Sequence, residues 1–120
     1  WEGKYVASFE TLSKLIESQG LNDVAILYNM DLVHETEAFM SGNRHLRYKM
    51  IFLDCGIRNV MDVSLQHFWP RLVRGGILIM DHYNMEHSPD ESDLVEKYVG
   101  SNMVRQMPFN RQPTAYVVKE

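Results

Sequence analysis

Apolar positions along the chain recur with two periods, and the places where one gives way to the other predict the elements. Phe9, Leu12, Leu15 and Ile16 fall at helical spacing, with Lys14 and Glu17 on the other side. Gly20 suits the left-handed position just past a helix end, and Leu21 supplies the hydrophobic contact that goes with it. Asn22-Asp23 then turns the chain into Val24–Tyr28, a continuous apolar run of strand length. A strand that is apolar on both faces needs cover on both, which favours a parallel sheet between helices.

A weaker helical pattern runs from Thr36 to Met40 and ends near Ser41-Gly42-Asn43. Lys49–Asp54 reads as a second buried strand, closed by its acid. From Asn59 to about Trp69, Met61, Leu65, Phe68 and Trp69 form one helical stripe, and Pro70, lacking an amide donor, ends or kinks it. Gly75-Gly76 opens a third buried strand, Ile77 to Met80, closed by Asp81. Ser88-Pro89-Asp90-Glu91 is a helix start: a capping serine, proline at the first helical position, and a glutamate that reaches back. Leu94, Val95, Tyr98 and Val99 give that helix its buried face, and Gly100 ends it. Met103–Met107 and Thr114–Val118 then read as an antiparallel pair. Such alternation predicts a layered α/β sheet with function at the carboxyl ends of its strands.

Composition narrows the picture. The 120 residues carry 12 Lys+Arg against 16 Asp+Glu, a net charge of −4, and 45% are apolar. That suits one globular domain, residues 1–120, and excludes a disordered or fibrous chain. Mild acidity without a basic block argues against nucleic acid or an anionic membrane as partner. The longest apolar runs fall far short of the roughly 20 residues of a membrane span. The lone Cys55 excludes an internal disulfide and suits a reducing cytoplasm. The chain begins at Trp1 without an initiator methionine, so a piece of something longer is expected.

The polar residues at the strand ends carry the chemistry. Asp31 lies just beyond the first predicted strand, Asp54 ends the second, and Asp81-His82 ends the third. In a parallel sheet all three arrive at the same rim. Carboxylates and an imidazole converging there would hold a divalent cation, or polarise and deprotonate a substrate hydroxyl. Taken singly, an acid after a strand is a turn former or helix cap. Asp54 and Asp81-His82 taken together favour a site. Elsewhere, His34, His45, His67 and His87 are scattered without metal spacing, and Arg44, Arg47 and Lys49 form a small basic cluster, most simply a solvated loop.

The stretch from Met50 to Asn84 resembles the second half of a class I S-adenosylmethionine-dependent methyltransferase. It runs through Phe52-Leu53-Asp54, Trp69-Pro70-Arg71-Leu72 and Gly75-Gly76-Ile77-Leu78-Ile79-Met80-Asp81-His82-Tyr83. The spacing is most like the macrocin O-methyltransferase-like group, with its Leu-Asp-Gly-Asp strand end, Tyr-Pro-Lys/Arg-Leu helix end, Gly-Gly turn and Asp-Asp-Tyr strand end. The resemblance implies a Rossmann-like three-layer sandwich: a mostly parallel sheet with an antiparallel C-terminal strand, lacking the first two strands. It also implies transfer of a methyl group from S-adenosylmethionine to a small-molecule hydroxyl. Asp54, Asp81 and His82 would be the metal ligands for magnesium or manganese, His82 and Asp54 the catalytic pair, and Asp31 and Asp54 the cofactor-binding residues.

Several departures matter. His82 replaces the second acid of the Asp-Asp pair and Gly56 the second acid of Leu-Asp-Gly-Asp. Ile57 stands where catechol-type relatives place a lysine. The Gly-rich cofactor turn and the ribose-binding acid have no counterpart. A catalytically inactive methyltransferase-like domain serving assembly or regulation is therefore the alternative, and a phosphoacceptor receiver-like domain ranks lower. Without the two missing strands, Met50–Asp54 would present an apolar edge. The expectation is that Val24–Tyr28 moves in to pair with it, giving a five-stranded sheet, or else that a second copy of the chain covers the gap.

Overall fold

The computed structural model describes residues 6–81, 83, 90–109 and 114–120. It divides into two compact units, Trp1–Met30 and Asp31–Glu120. In the first, helix α1 spans Phe9–Ser18. The Ser8 hydroxyl accepts the Thr11 amide at 3.1 Å and so satisfies one of the orphan donors of the first turn. Lys14 pairs with Glu10 one turn back at 2.7 Å. At the other end Gly20 adopts φ +65°, while the Leu21 amide returns to the Ile16 carbonyl, the left-handed stop the sequence predicts. The apolar stripe Phe9, Leu12 and Leu15 is exposed.

Val24–Tyr28 forms no strand, contrary to the sequence expectation. A strand exists only where a neighbour completes its ladder, and residues 6–30 contain no other extended segment for it to pair with. Its apolar side chains are open instead, Val24 at 78% and Ile26 at 74%.

The second unit follows the alternation closely. Helix α2 (Leu32–Gly42), strand β1 (Tyr48–Leu53) and helix α3 (Arg58–Phe68) lead through a 3-10 turn at Trp69–Arg71, where Pro70 falls, into strand β2 (Leu72–Met80). Helix α4 (Asp90–Tyr98), a second 3-10 turn (Ser101–Met103), and strands β3 (Arg105–Gln106) and β4 (Ala115–Val118) complete it. Ser88 and Pro89 of the predicted cap lie outside the described residues. The predicted strand Met103–Met107 is realised only at Arg105–Gln106, because the chain leaves α4 through a 3-10 turn first.

The described strands make a four-stranded sheet of order β1-β2-β4-β3. β1 and β2 are parallel, and β4 runs antiparallel to both β2 and β3. The C-terminal strand is therefore the antiparallel one, as expected, and the sheet has four strands rather than five. β1 is an edge.

One face of the sheet is packed. Leu53, Leu78, Met80, Ala115 and Val117 point to it and close a core with Met61 and Leu65 of α3 and Leu94 and Val95 of α4. The alternate residues occupy the opposite face, where Met50 is 61% and Phe52 54% exposed, with Ile77 and Val118 also open. Period-2 alternation of apolar side chains on both faces is the signature of a sheet meant to be covered twice.

Gly75 and Gly76 lie inside β2, not before it. Tyr48 pairs with Leu72 but Met50 with Ile77, so β2 bulges by several residues between those two registers. Gly75 takes φ +75°, and a side chain on Gly76 would sit 2.8 Å from both the Leu72 Cδ1 and the Val73 carbonyl oxygen. Both glycines are required by the turn of the backbone.

Candidate active site

The parallel register of β1 and β2 decides what meets at the carboxyl rim. Leu53 faces Met80 as the last ladder pair, so Asp54 and Asp81 follow side by side as the next residues of each strand. The Asp81 amide donates to the Leu53 carbonyl at 3.2 Å, which carries the ladder one step into the rim. Thr114, just ahead of β4, places its hydroxyl 3.3 Å from the Asp81 carbonyl oxygen and ties a third strand to the same point. Asp54 is exposed and Asp81 half-buried. Gly56 turns the chain away from Asp54 with φ +57°, a conformation that glycine adopts without cost.

His82 lies outside the described residues. Among the described residues no group of three or more histidine, cysteine, aspartate or glutamate side chains is arranged to hold a metal ion. Among the described residues the ionisable donors at this rim are the carboxylates of Asp54 and Asp81, in adjacent register. Carboxylate oxygens are the ligand type a hard divalent cation takes.

Asp31 is used differently. It is the N-cap of α2, its Oδ1 accepting the amides of Val33 at 2.9 Å and His34 at 3.2 Å. Its Oδ2 lies 2.9 Å from the His34 ring, and the Glu35 carboxylate accepts the Asp31 amide in return. This is the capping role any acid at that place can fill. With three partners, the carboxylate has about one lone-pair direction of four left for a ligand.

The His34 hydrogen bond holds the Asp31 carboxyl below its ordinary range, helped by the backbone amides, and the same bond raises the His34 imidazole above its own. The lowered acid stabilises the fold above the unfolded carboxyl value of about 4 and loses that as pH falls further. The raised base stabilises it below the unfolded imidazole value of about 6.5 and loses that as pH climbs through its folded value. The cap is therefore firmest between those limits. In an NMR titration Asp31→Asn should lower the His34 pKa toward that of an unpaired histidine; an unchanged value would show that the pair does not form in solution.

Two fastenings had no local signal in the sequence. Asp62 of α3 accepts from Tyr98 at 2.6 Å and Lys97 at 2.9 Å, both on α4. The Tyr98 bond first, and the Lys97 bond next, draw its carboxyl below the ordinary range. Lys119 donates to the carbonyls of Trp69, Pro70 and Leu72, securing the chain after β4 to the entry of β2.

The strand order, the antiparallel β4 and the helices between strands make a Rossmann-like α/β fold. Two solved structures share this fold over nearly all of the chain. The apo structure of CalS11, a TDP-rhamnose 3′-O-methyltransferase of calicheamicin biosynthesis, matches 98% of this chain and 55% of its own with a TM-score of 0.80 at 16% identity. A second structure of that calicheamicin methyltransferase matches equally well over 50% of its length. The O-methyltransferase NovP overlaps 59% of this chain and 29% of its own, with 20% identity and a TM-score of 0.49. This chain thus spans about half the length of the CalS11 structures. No protein-family model matches it, and no curated protein sequence is significantly similar to it.

Proposed function

We propose that the chain forms the C-terminal half of an S-adenosylmethionine-dependent O-methyltransferase that acts on a small-molecule hydroxyl. The observation that carries this is the side-by-side arrival of Asp54 and Asp81 at the carboxyl rim of a sheet ordered β1-β2-β4-β3, in a fold shared with CalS11. S-adenosylmethionine supplies an electrophilic methyl group; the acceptor oxygen must be oriented and relieved of its proton. In this proposal Asp54 and Asp81 would do the first, directly or by sharing a magnesium or manganese ion, and His82 or Asp54 would take the proton. The acceptor class, a small molecule with a free hydroxyl, is the class to which the TDP-rhamnose named for CalS11 belongs.

The residues present make up only part of a cofactor pocket. No Gly-rich turn opens a helix in this sequence, and the Asp31 carboxylate is largely committed to α2. Cofactor binding is accordingly proposed of the protein that contains this chain together with a first half of the fold. Among the described residues no helix is long and apolar enough to cross a membrane, and a cytoplasmic setting is part of the proposal. So is self-association through the β1 edge in a form that lacks the first half. Calorimetry of the intact protein with S-adenosylmethionine and with its demethylated product is the test. Saturable heat with either supports the reading. The absence of heat with both would favour an inactive, assembly-type domain, the reading with which His82 and Gly56 in place of the family's acids, and the lack of a Gly-rich turn, are compatible.

A further inference from the structure

At the opposite end of β1 and β2 from the two aspartates, the loops leading into both strands and the end of α2 line an open cleft of about 470 Å³. Its lining includes Arg44 and Arg47 ahead of β1, Arg71 ahead of β2, His67 on the last turn of α3 and, as the one acid, Glu37 of α2. In sequence Arg44 and Arg47 belong to an unremarkable basic loop; the fold brings Arg71 and His67 to the same place. This concentration of positive charge occurs in a chain whose net charge is −4.

Two features separate the cleft from an ordinary solvated patch. First, two of its three guanidiniums are held in place. Arg47 Nη1 donates to the carbonyls of Arg44 at 2.9 Å and Leu46 at 2.8 Å, and Arg71 Nη1 donates to the same two carbonyls. Two like charges are thereby fixed side by side on one pair of acceptors, with Arg71 half-buried. Second, no carboxylate of the described residues pairs with them, Glu37 of the same cleft included. Lys14, Arg58 and Lys97 each face a carboxylate, whereas among the described residues Arg44, Arg47 and Arg71 form no ion pair. Each guanidinium carries five N–H donors in a rigid fork, and the Nε and Nη2 groups of Arg47 and Arg71 have no hydrogen-bond partner among the described residues. Like charges held together without a counter-ion are stabilised by an anion, and forks of this kind match phosphate oxygens two at a time.

We infer that this cleft binds a small phosphorylated ligand carrying at least two phosphate groups. The volume falls within the range of small-molecule sites, roughly 300–1,000 Å³. One phosphate would lie across the paired Arg47 and Arg71 forks, and a second would reach Arg44 and the His67 ring, an N–H donor. The site stands apart from the carboxyl-end rim and does not depend on the methyltransferase reading.

Inorganic pyrophosphate is the probe, titrated into the protein at low salt by calorimetry, with orthophosphate and citrate as comparison anions. One-to-one saturable binding is expected, at least tenfold tighter for pyrophosphate than for orthophosphate or citrate. Arg44→Gln makes the cleanest variant, because its side chain takes no part in holding the loop, and Arg44→Gln with Arg47→Gln should weaken pyrophosphate by tenfold or more. Asp81→Asn, at the far rim, should leave it unchanged. Circular dichroism on each variant establishes that the fold is kept. No saturable heat with pyrophosphate, citrate binding as tightly, or undiminished binding by the folded double variant would each overturn the assignment.

Discussion

Leu78→Ala should destabilise the protein by about 2–5 kcal/mol, whereas Phe52→Ala should cost well under half as much. Leu78 sits at 0% exposure on β2, between β1 and β4, and faces the helices, so its truncation leaves a cavity that neighbouring strands cannot close. Phe52 is the larger side chain and belongs to the same sheet, but its face is open and 54% of it already meets solvent. Removing it therefore exposes little that was dry. Against a total stability of about 5–15 kcal/mol for a domain of this kind, the first loss is a large fraction of the whole and the second is not. Equilibrium urea denaturation measures both. Comparable losses would mean that the Met50–Phe52 face is covered in solution, by a second copy or by another segment, and would direct attention to the oligomeric state.

How much of this was legible in the sequence depends on whether the information was local. α3 could be read from Met61 and Leu65 at helical spacing, and its end from Pro70. β1 and the second half of β2 could be read from their uninterrupted apolar runs, each closed by an aspartate. The rim followed from those strands, because parallel neighbours that end in register bring their terminal acids together. Val24–Tyr28 carried the same local signal as β1 and yet formed no strand. Pairing is a property of two segments, and the sequence of one cannot announce that the other is missing. The Gly75-Gly76 pair was recognisable as a backbone requirement, but its place inside β2 was not, since the bulge is defined only against Tyr48 and Met50. Nor could the basic cleft be foreseen. Arg44 and Arg71 are 27 positions apart, and the carbonyls that seat Arg71 belong to the loop before β1. Asp31 shows the opposite lesson: the ordinary reading of an acid ahead of a helix, as its cap, describes what the carboxylate does.

Asp54→Asn and Asp81→Asn should each lower methyl transfer to a hydroxyl acceptor by about 100-fold or more, the usual scale for removing a group that takes or directs a proton. The change is isosteric and deletes only charge and basicity. Circular dichroism on each variant separates a loss of activity from a loss of fold. Whether a metal assists is read separately, from the paramagnetic resonance signal of free manganese as the protein is added. If Asp54 and Asp81 share the ion, the wild-type protein should quench that signal, and either asparagine variant should restore it, because an amide oxygen is a far poorer ligand than a carboxylate. A wild-type protein that leaves the manganese signal intact refutes metal assistance. Quenching that persists in both variants refutes the assignment of these two carboxylates to the ion. Full activity in both would remove the rim from the mechanism altogether.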